Sequence, residues 1–97
     1  MSSIGLFMEV KTKSENVALR EFRKRRKYDL YEFGHDSYSG TFGTFTGVRL
    51  QLQKVFSSRA DAEKYILEHD TKWGDAIGVT VKENGKSYVL IGGWAAT

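Results

Sequence analysis

The sequence predicts a single α+β domain, residues 1–97, in which two helices cover one face of a largely antiparallel sheet. Three observations lead to this prediction. Several short stretches alternate apolar with polar residues, two other stretches join a capping motif to helical spacing, and Asn84-Gly85 marks a tight turn. The predicted order is β-α-β-β-α-β-β. Its first six elements follow the ferredoxin-like order, to which one strand is added.

The N-terminal part is expected to form a strand, a helix and a second strand. Period-two alternation predicts a strand over residues 4–11. A capping box that begins at Thr12 predicts a helix over about residues 13–26, whose narrow apolar stripe ends at Phe22. The aromatic stretch 27–33 predicts the second strand, because bulky side chains favour extended backbone.

The following part begins with a loop. Residues 34–47 are rich in glycine and serine, which indicates irregular backbone. Alternation over residues 48–53 then predicts a half-buried strand. Ser58 is a strong N-cap residue, and helical spacing after it predicts a second helix that ends near His69.

The C-terminal stretch predicts a β-hairpin. A type I′ turn needs positive φ at both central residues, which Asn84 and Gly85 tolerate best. The turn places Val81 opposite Tyr88, and it gives the hairpin one face that is expected to be core. That face consists of Ile77, Val79, Val81, Tyr88 and Leu90.

The other face of the hairpin predicts self-association. With both helices on the first face, Val89 and Ile91 would lie on the solvent side unless the N-terminal segment folds over them. Trp94 and the 42–45 loop could extend the apolar patch. Contiguous apolar patches usually mark interfaces, and symmetric homo-oligomers are the commonest way to bury one. A homo-oligomer that uses these three residues is therefore expected.

Composition excludes several classes of protein. The chain has no cysteine, so it can form neither disulfides nor thiolate metal sites, and its two histidines belong to no ligand-spaced cluster. No metal or cofactor is expected. No apolar run approaches the roughly 20 residues that span a bilayer, and the N-terminus lacks a secretory signal. The expected location is cytoplasmic, without membrane contact.

Catalytic residues are hard to find. The loop 34–40 contains His35 and Asp36, but neighbouring side chains in a loop usually diverge, so a polar turn is the simpler interpretation. The segment with glycines at 40, 43 and 47 precedes a strand and contains no P-loop lysine, so it is not expected to be a phosphate-binding loop of that kind. We expect no enzyme, and His35 is the remaining candidate if the chain is one.

Two groups of residues are candidates for partner binding. The chain has a formal charge of only +3, but its basic residues concentrate between positions 20 and 27, just before Tyr28 and Tyr31. Such a run predicts nucleic-acid or nucleotide binding, although a solvated helix end gives the same pattern. Phe42 and Phe45 could contact a partner from a loop, or both rings could pack onto the core. The basic candidates are Arg20, Arg23, Lys24, Arg25, Arg26 and Lys27.

The last 40 or so residues suggest an origin. The segments Lys72-Trp73-Gly74-Asp75-Ala76 and Tyr88-Val89-Leu90-Ile91-Gly92-Gly93-Trp94-Ala95 resemble a pattern of small uncharacterised proteins of tailed bacteriophages. The resemblance brings no catalytic residue with it. It implies a phage-encoded accessory protein that binds a host component, such as a defence system.

The functional hypothesis from the sequence is a non-enzymatic binding protein. Its partner is expected to be another protein, either a host factor or a second copy of the chain, because no catalytic constellation is present and apolar residues are plentiful on strands and loops. The alternative is a nucleic-acid or nucleotide binder that uses the basic run and the nearby tyrosines.

Overall fold

A computed structural model describes residues 3–33, 41–70 and 74–96 of the chain. Within these ranges, strands and helices alternate before a final hairpin, and a single 3₁₀ turn at Phe42–Thr44 precedes the second strand. The elements are β1 (Ser3–Val10), α1 (Glu15–Phe33), β2 (Val48–Phe56), α2 (Arg59–His69), β3 (Ala76–Glu83) and β4 (Lys86–Ala96).

The strands form one four-stranded sheet in the order β1-β4-β3-β2. β4 is antiparallel to both of its neighbours, and β2 pairs in parallel with β3. The predicted α+β class with a mostly antiparallel sheet is therefore confirmed. The hairpin register is also as predicted, with Val81 opposite Tyr88, and the turn residues Asn84 and Gly85 have φ of 53° and 77°.

The helices lie on opposite faces of the sheet, so the prediction that both cover one face is wrong. α1 packs over a cluster that includes Val89 and Ile91, whereas α2 packs over one that includes Val79 and Leu90. The connectivity explains this. β1, β3 and β2 all run in the same direction, so each helix is a crossover between parallel strands, and such crossovers are right-handed in nearly all proteins. α1 crosses the sheet from β1 toward β2 and α2 returns toward β3, and two right-handed crossovers in opposite directions place their helices on opposite faces.

α1 is longer than the sequence pattern predicted. Residues 27–33 form its last two turns, so the predicted strand there is wrong, and without it the ferredoxin-like order is not realised. The apolar stripe in the sequence ends at Phe22. The buried face of the helix continues for about two more turns, to Asp29, which is 2% exposed. Asp29 can be buried there because its carboxylate accepts the Phe42 amide hydrogen at 2.8 Å and pairs with Arg25.

Both helices begin at capped residues. Ser58 caps α2 as predicted, because its hydroxyl accepts a hydrogen bond from the Asp61 amide at 3.2 Å. In α1 the cap lies two residues later than predicted. The Ser14 hydroxyl accepts from the Val17 amide at 3.3 Å, and Thr12 accepts from the Ser14 amide instead of closing a capping box.

Candidate functional site

The candidate site lies on the side of α1 that faces away from the sheet. Successive residues of an α-helix turn by about 100°, so the buried Ala18, Phe22 and Asp29 fall within about 40° of one another. Arg20 and Lys27 lie on the opposite side of the helix. Four exposed cations share this surface, and we call them the basic stripe: Arg20, Arg23, Lys24 and Lys27.

The positive charge of the protein is concentrated here. Residues 20–27 contain six basic residues and one acidic one, Glu21, whereas the whole chain has a net charge of only +3. The rest of the chain is therefore net negative. Lys24 approaches Glu21 at 3.7 Å, an exposed pair that stabilises little. Within the described residues, no carboxylate lies within 4.0 Å of the cationic nitrogens of Arg20, Arg23 or Lys27.

The other two predicted basic residues have structural contacts. Arg25 donates from Nε to the Asp29 carboxylate at 3.2 Å, and its guanidinium lies 5.1 Å from the centre of the Phe42 ring. Arg26 donates from Nε to the backbone carbonyl of Phe45. Both arginines therefore link the 42–45 segment to α1. Because of these contacts, we do not include them in the basic stripe.

The predicted loop aromatics belong to the core. Phe42 and Phe45 are each 1% exposed and pack with Phe22, so neither ring is presented to a partner and that prediction is wrong. The Phe42 and Phe45 ring centres lie 5.4 Å apart in an edge-to-face arrangement. The segment is held by Asp29, whose carboxylate accepts the Phe42 amide hydrogen at 2.8 Å.

Two tyrosines extend the basic stripe at its C-terminal end. Tyr28 and Tyr31 are 57% and 85% exposed, and they follow Lys24 and Lys27 by one helical turn each. From Arg20 to Tyr31 the surface is about 16 Å long at 1.5 Å per residue. A row of cations next to exposed rings can bind phosphates and stack on flat ligands.

A recess joins the basic stripe to the body of the domain. It has a volume of about 350 Å³ and lies between α1 and the turn before β2. Arg23 and Arg26 line one wall, and Asp75 lines the other, where its carboxylate accepts from the Thr46 hydroxyl at 2.8 Å. Arg23 also lines a shallow groove along the stripe itself, so this residue connects the two surfaces.

Two of the three residues of the predicted oligomer interface are inside the protein. Val89 and Ile91 are fully buried beneath α1, so the exposure on which that prediction depended is wrong. Trp94 is partly buried, and its indole nitrogen donates to the Leu67 carbonyl at 2.8 Å. Its backbone amide donates to Asp70 at 2.7 Å, so Trp94 attaches the end of β4 to the end of α2.

A second charged cluster lies on the α2 face and was not predicted. Arg59 bonds Glu63 at 2.6 Å and also contacts Glu9, while its backbone amide donates to Glu83 at 3.3 Å. The hydrogen bond to Glu63 is the largest cause that raises the pKa of Arg59. Burial raises the pKa of the neighbouring Tyr88, and the charge of Glu9 adds to this effect. Apart from Arg59 and Glu63, which lie one turn apart in α2, these residues come from separate segments, so a local sequence pattern could reveal only that one pair.

Other functional candidates receive no support from the geometry. In the parts of the chain that the structure describes, no three histidine or acidic side chains come together as a metal site. None of the described helices is both long and apolar enough to cross a membrane. The predicted His35-Asp36 loop lies outside the described residues.

Comparison with known proteins adds no relative. No protein-family model matches the sequence, and no curated protein or solved structure is significantly similar to it.

Proposed function

We propose that the protein binds single-stranded nucleic acid along the outer surface of α1. The supporting observation is that four exposed cations and two exposed tyrosines share the side of α1 that faces away from the sheet. The basic stripe would contact phosphates, and Tyr28 and Tyr31 would stack on bases.

The physical basis of this binding is electrostatic. Cations that neutralise phosphates release the counterions condensed on the strand, which favours binding at low salt. Stacking of a base on an aromatic side chain contributes about 1–3 kcal/mol and needs no particular base. Bases in a duplex already stack on one another, so exposed rings favour an unpaired strand over a duplex.

A protein partner bound through apolar contacts has less support. The large apolar side chains exposed among the described residues, apart from the two tyrosines, are Ile4 and Val55. They lie on β1 and β2, the opposite edges of the sheet, so they form no contiguous patch. Binding of a host protein and a phage origin stay predictions.

The experiment compares two variants of equal net charge. The first is Arg20→Gln/Arg23→Gln/Lys27→Gln, which removes most of the basic stripe. The control removes three exposed cations elsewhere, on β2, α2 and β3: Arg49→Gln/Lys64→Gln/Lys82→Gln. Fluorescence anisotropy with a single-stranded oligonucleotide of about 12 residues measures affinity in low salt.

We expect the stripe variant to lose about tenfold or more in affinity and the control to lose much less, because the stripe residues contact the phosphates of the strand and the control residues do not. Equal losses in both variants would show that net charge alone attracts the strand. An unmodified protein that fails to bind the oligonucleotide in low salt, but binds an acidic protein through the same residues, would replace the nucleic acid with a protein partner.

A further inference from the structure

A cleft lies where β4 extends beyond the end of β1. The last pair between these strands is Val10 with Val89, after which the chain leaves the sheet toward α1. β4 begins three residues earlier, at Lys86, and pairs there with β3. Among the strands that the structure describes, residues 86–88 therefore have a neighbour on one side only.

The backbone of Ser87 points into this open side. Glu83 and Lys86 flank a two-residue turn, which makes them a hydrogen-bonded pair of the antiparallel ladder. Bonded and non-bonded pairs alternate along such a ladder, so the next residue, Ser87, directs its amide and carbonyl away from β3. The Ser87 hydroxyl oxygen is also buried, and it has no hydrogen-bond partner among the residues that the structure describes.

The cleft is large enough for a small molecule and is basic. Its volume is about 570 Å³, within the usual range of ligand sites. Lys11, Lys13 and Lys86 line it, and no described carboxylate lies within 4.0 Å of their ammonium groups. Glu9 also lines the cleft, where its carboxylate pairs with Arg59, a cation that it shares with Glu63, so the three lysines outnumber one carboxylate in the lining.

We propose that this cleft binds a small phosphate-bearing molecule, with the phosphate held by the three lysines and by the hydroxyl and amide of Ser87. Ammonium groups bind phosphate as point charges, and charge-assisted hydrogen bonds are the strongest that such a site can offer. A ligand that carries a phosphate dianion matches three cations better than a ligand that carries a single carboxylate. The remaining volume accommodates the organic part of the ligand beside Tyr88. This site is separate from the basic stripe and does not depend on nucleic-acid binding.

Amide NMR titrations with inorganic phosphate, adenosine monophosphate and adenosine test the proposal. We expect both phosphate-bearing probes to shift the amides of Ser87 and of residues 11–13 in a saturable way, and adenosine to shift none of them. Ser87→Ala should weaken binding by about fivefold, the effect of one lost hydrogen bond. Lys11→Gln/Lys13→Gln should weaken it further, and Lys64→Gln, an exposed cation on α2, should have no effect.

Three results would overturn the proposal. One is that neither phosphate probe gives a saturable shift at Ser87 up to roughly 10 mM. Another is that adenosine shifts the same amides as adenosine monophosphate does. The third is that Lys64→Gln weakens binding as much as the Lys11/Lys13 double variant. The two lysines are exposed, so the double variant decides the question even if Ser87→Ala disturbs the fold.

Discussion

The buried carboxylate of Asp29 offers a sharp test of how α1 is attached to the domain. Asp29 is 2% exposed, accepts the Phe42 amide hydrogen at 2.8 Å and pairs with Arg25 at 3.2 Å. Asp29→Ala removes the only acceptor that the structure gives to this buried amide. The variant should therefore weaken the contact between the last turns of α1 and the 42–45 segment.

The expected loss of unfolding free energy in Asp29→Ala follows from the two contacts that the variant removes. A buried donor left without a partner costs about 1–3 kcal/mol. The ion pair adds little, about 0–1 kcal/mol, because the Arg25 side chain is 50% exposed. We expect a loss of about 2–3 kcal/mol, which lowers the melting temperature of a domain of this size by about 10–15 °C.

Thermal and urea unfolding of three proteins checks this expectation. Asp29→Asn keeps an oxygen that can accept the Phe42 amide hydrogen and should lose less than Asp29→Ala. Arg25→Gln removes the ion pair and the contact of the guanidinium with the Phe42 ring, and should lose about 1 kcal/mol because the Arg25 side chain is half exposed. An Asp29→Ala protein as stable as the parent would refute the reasoning, because it would show that the carboxylate does not hold the 42–45 segment in solution.

Two further predictions concern burial. Ile91→Lys should unfold the protein, with a loss of at least about 4 kcal/mol, because an ammonium group would replace a fully buried side chain; a folded variant in circular dichroism would contradict the placement of Ile91 beneath α1. Burial raises the pKa of Tyr88, so the folded state holds the phenol proton more tightly than the unfolded state does. The protonated phenol therefore contributes to the free energy of unfolding below the usual pKa of 10.0, and this contribution is lost as the pH rises through the raised pKa. Tyr88→Phe should therefore flatten the alkaline decline of the free energy of unfolding measured by urea titration, and an unchanged decline would argue against burial of the hydroxyl.

The parts of the fold that were predicted correctly depend on local chemistry. The Asn84-Gly85 turn fixes the register of the hairpin by itself, and the Ser58 hydroxyl marks the start of α2. The placement of the helices is not local, because it depends on the order of strands in the sheet. Once β2 is known to lie beside β3 and far from β1, right-handed crossovers determine the opposite faces. That order cannot be deduced from alternation within each strand.

The candidate site was partly visible in the sequence. The basic run and the two tyrosines are visible in the sequence. A run of charges does not show which cations face solvent and which bind other parts of the fold. Asp29 determines which arginines have structural contacts, because it pairs with Arg25 and holds the 42–45 segment, whose Phe45 carbonyl accepts a hydrogen bond from Arg26. Its burial could not be foreseen, because its partner amide lies 13 residues further along the chain.

The cleft at the end of β1 was invisible to sequence patterns for a different reason. Lys11 and Lys13 are separated from Lys86 by most of the chain, and each resembles an ordinary surface lysine. Only the antiparallel pairing of β1 with β4 brings them together. Because β1 is shorter than β4, no strand in the described part of the chain pairs with Ser87 on that side.

The salt dependence of oligonucleotide binding tests the central claim most directly. Each phosphate contact on a single strand contributes about 0.7 to the slope of log affinity against log salt concentration. Removal of Arg20, Arg23 and Lys27 should therefore reduce that slope by about 2, whereas the Arg49/Lys64/Lys82 control should leave it nearly unchanged. A slope that both triple variants reduce equally, or that neither reduces, would contradict the assignment of α1 as the nucleic-acid interface.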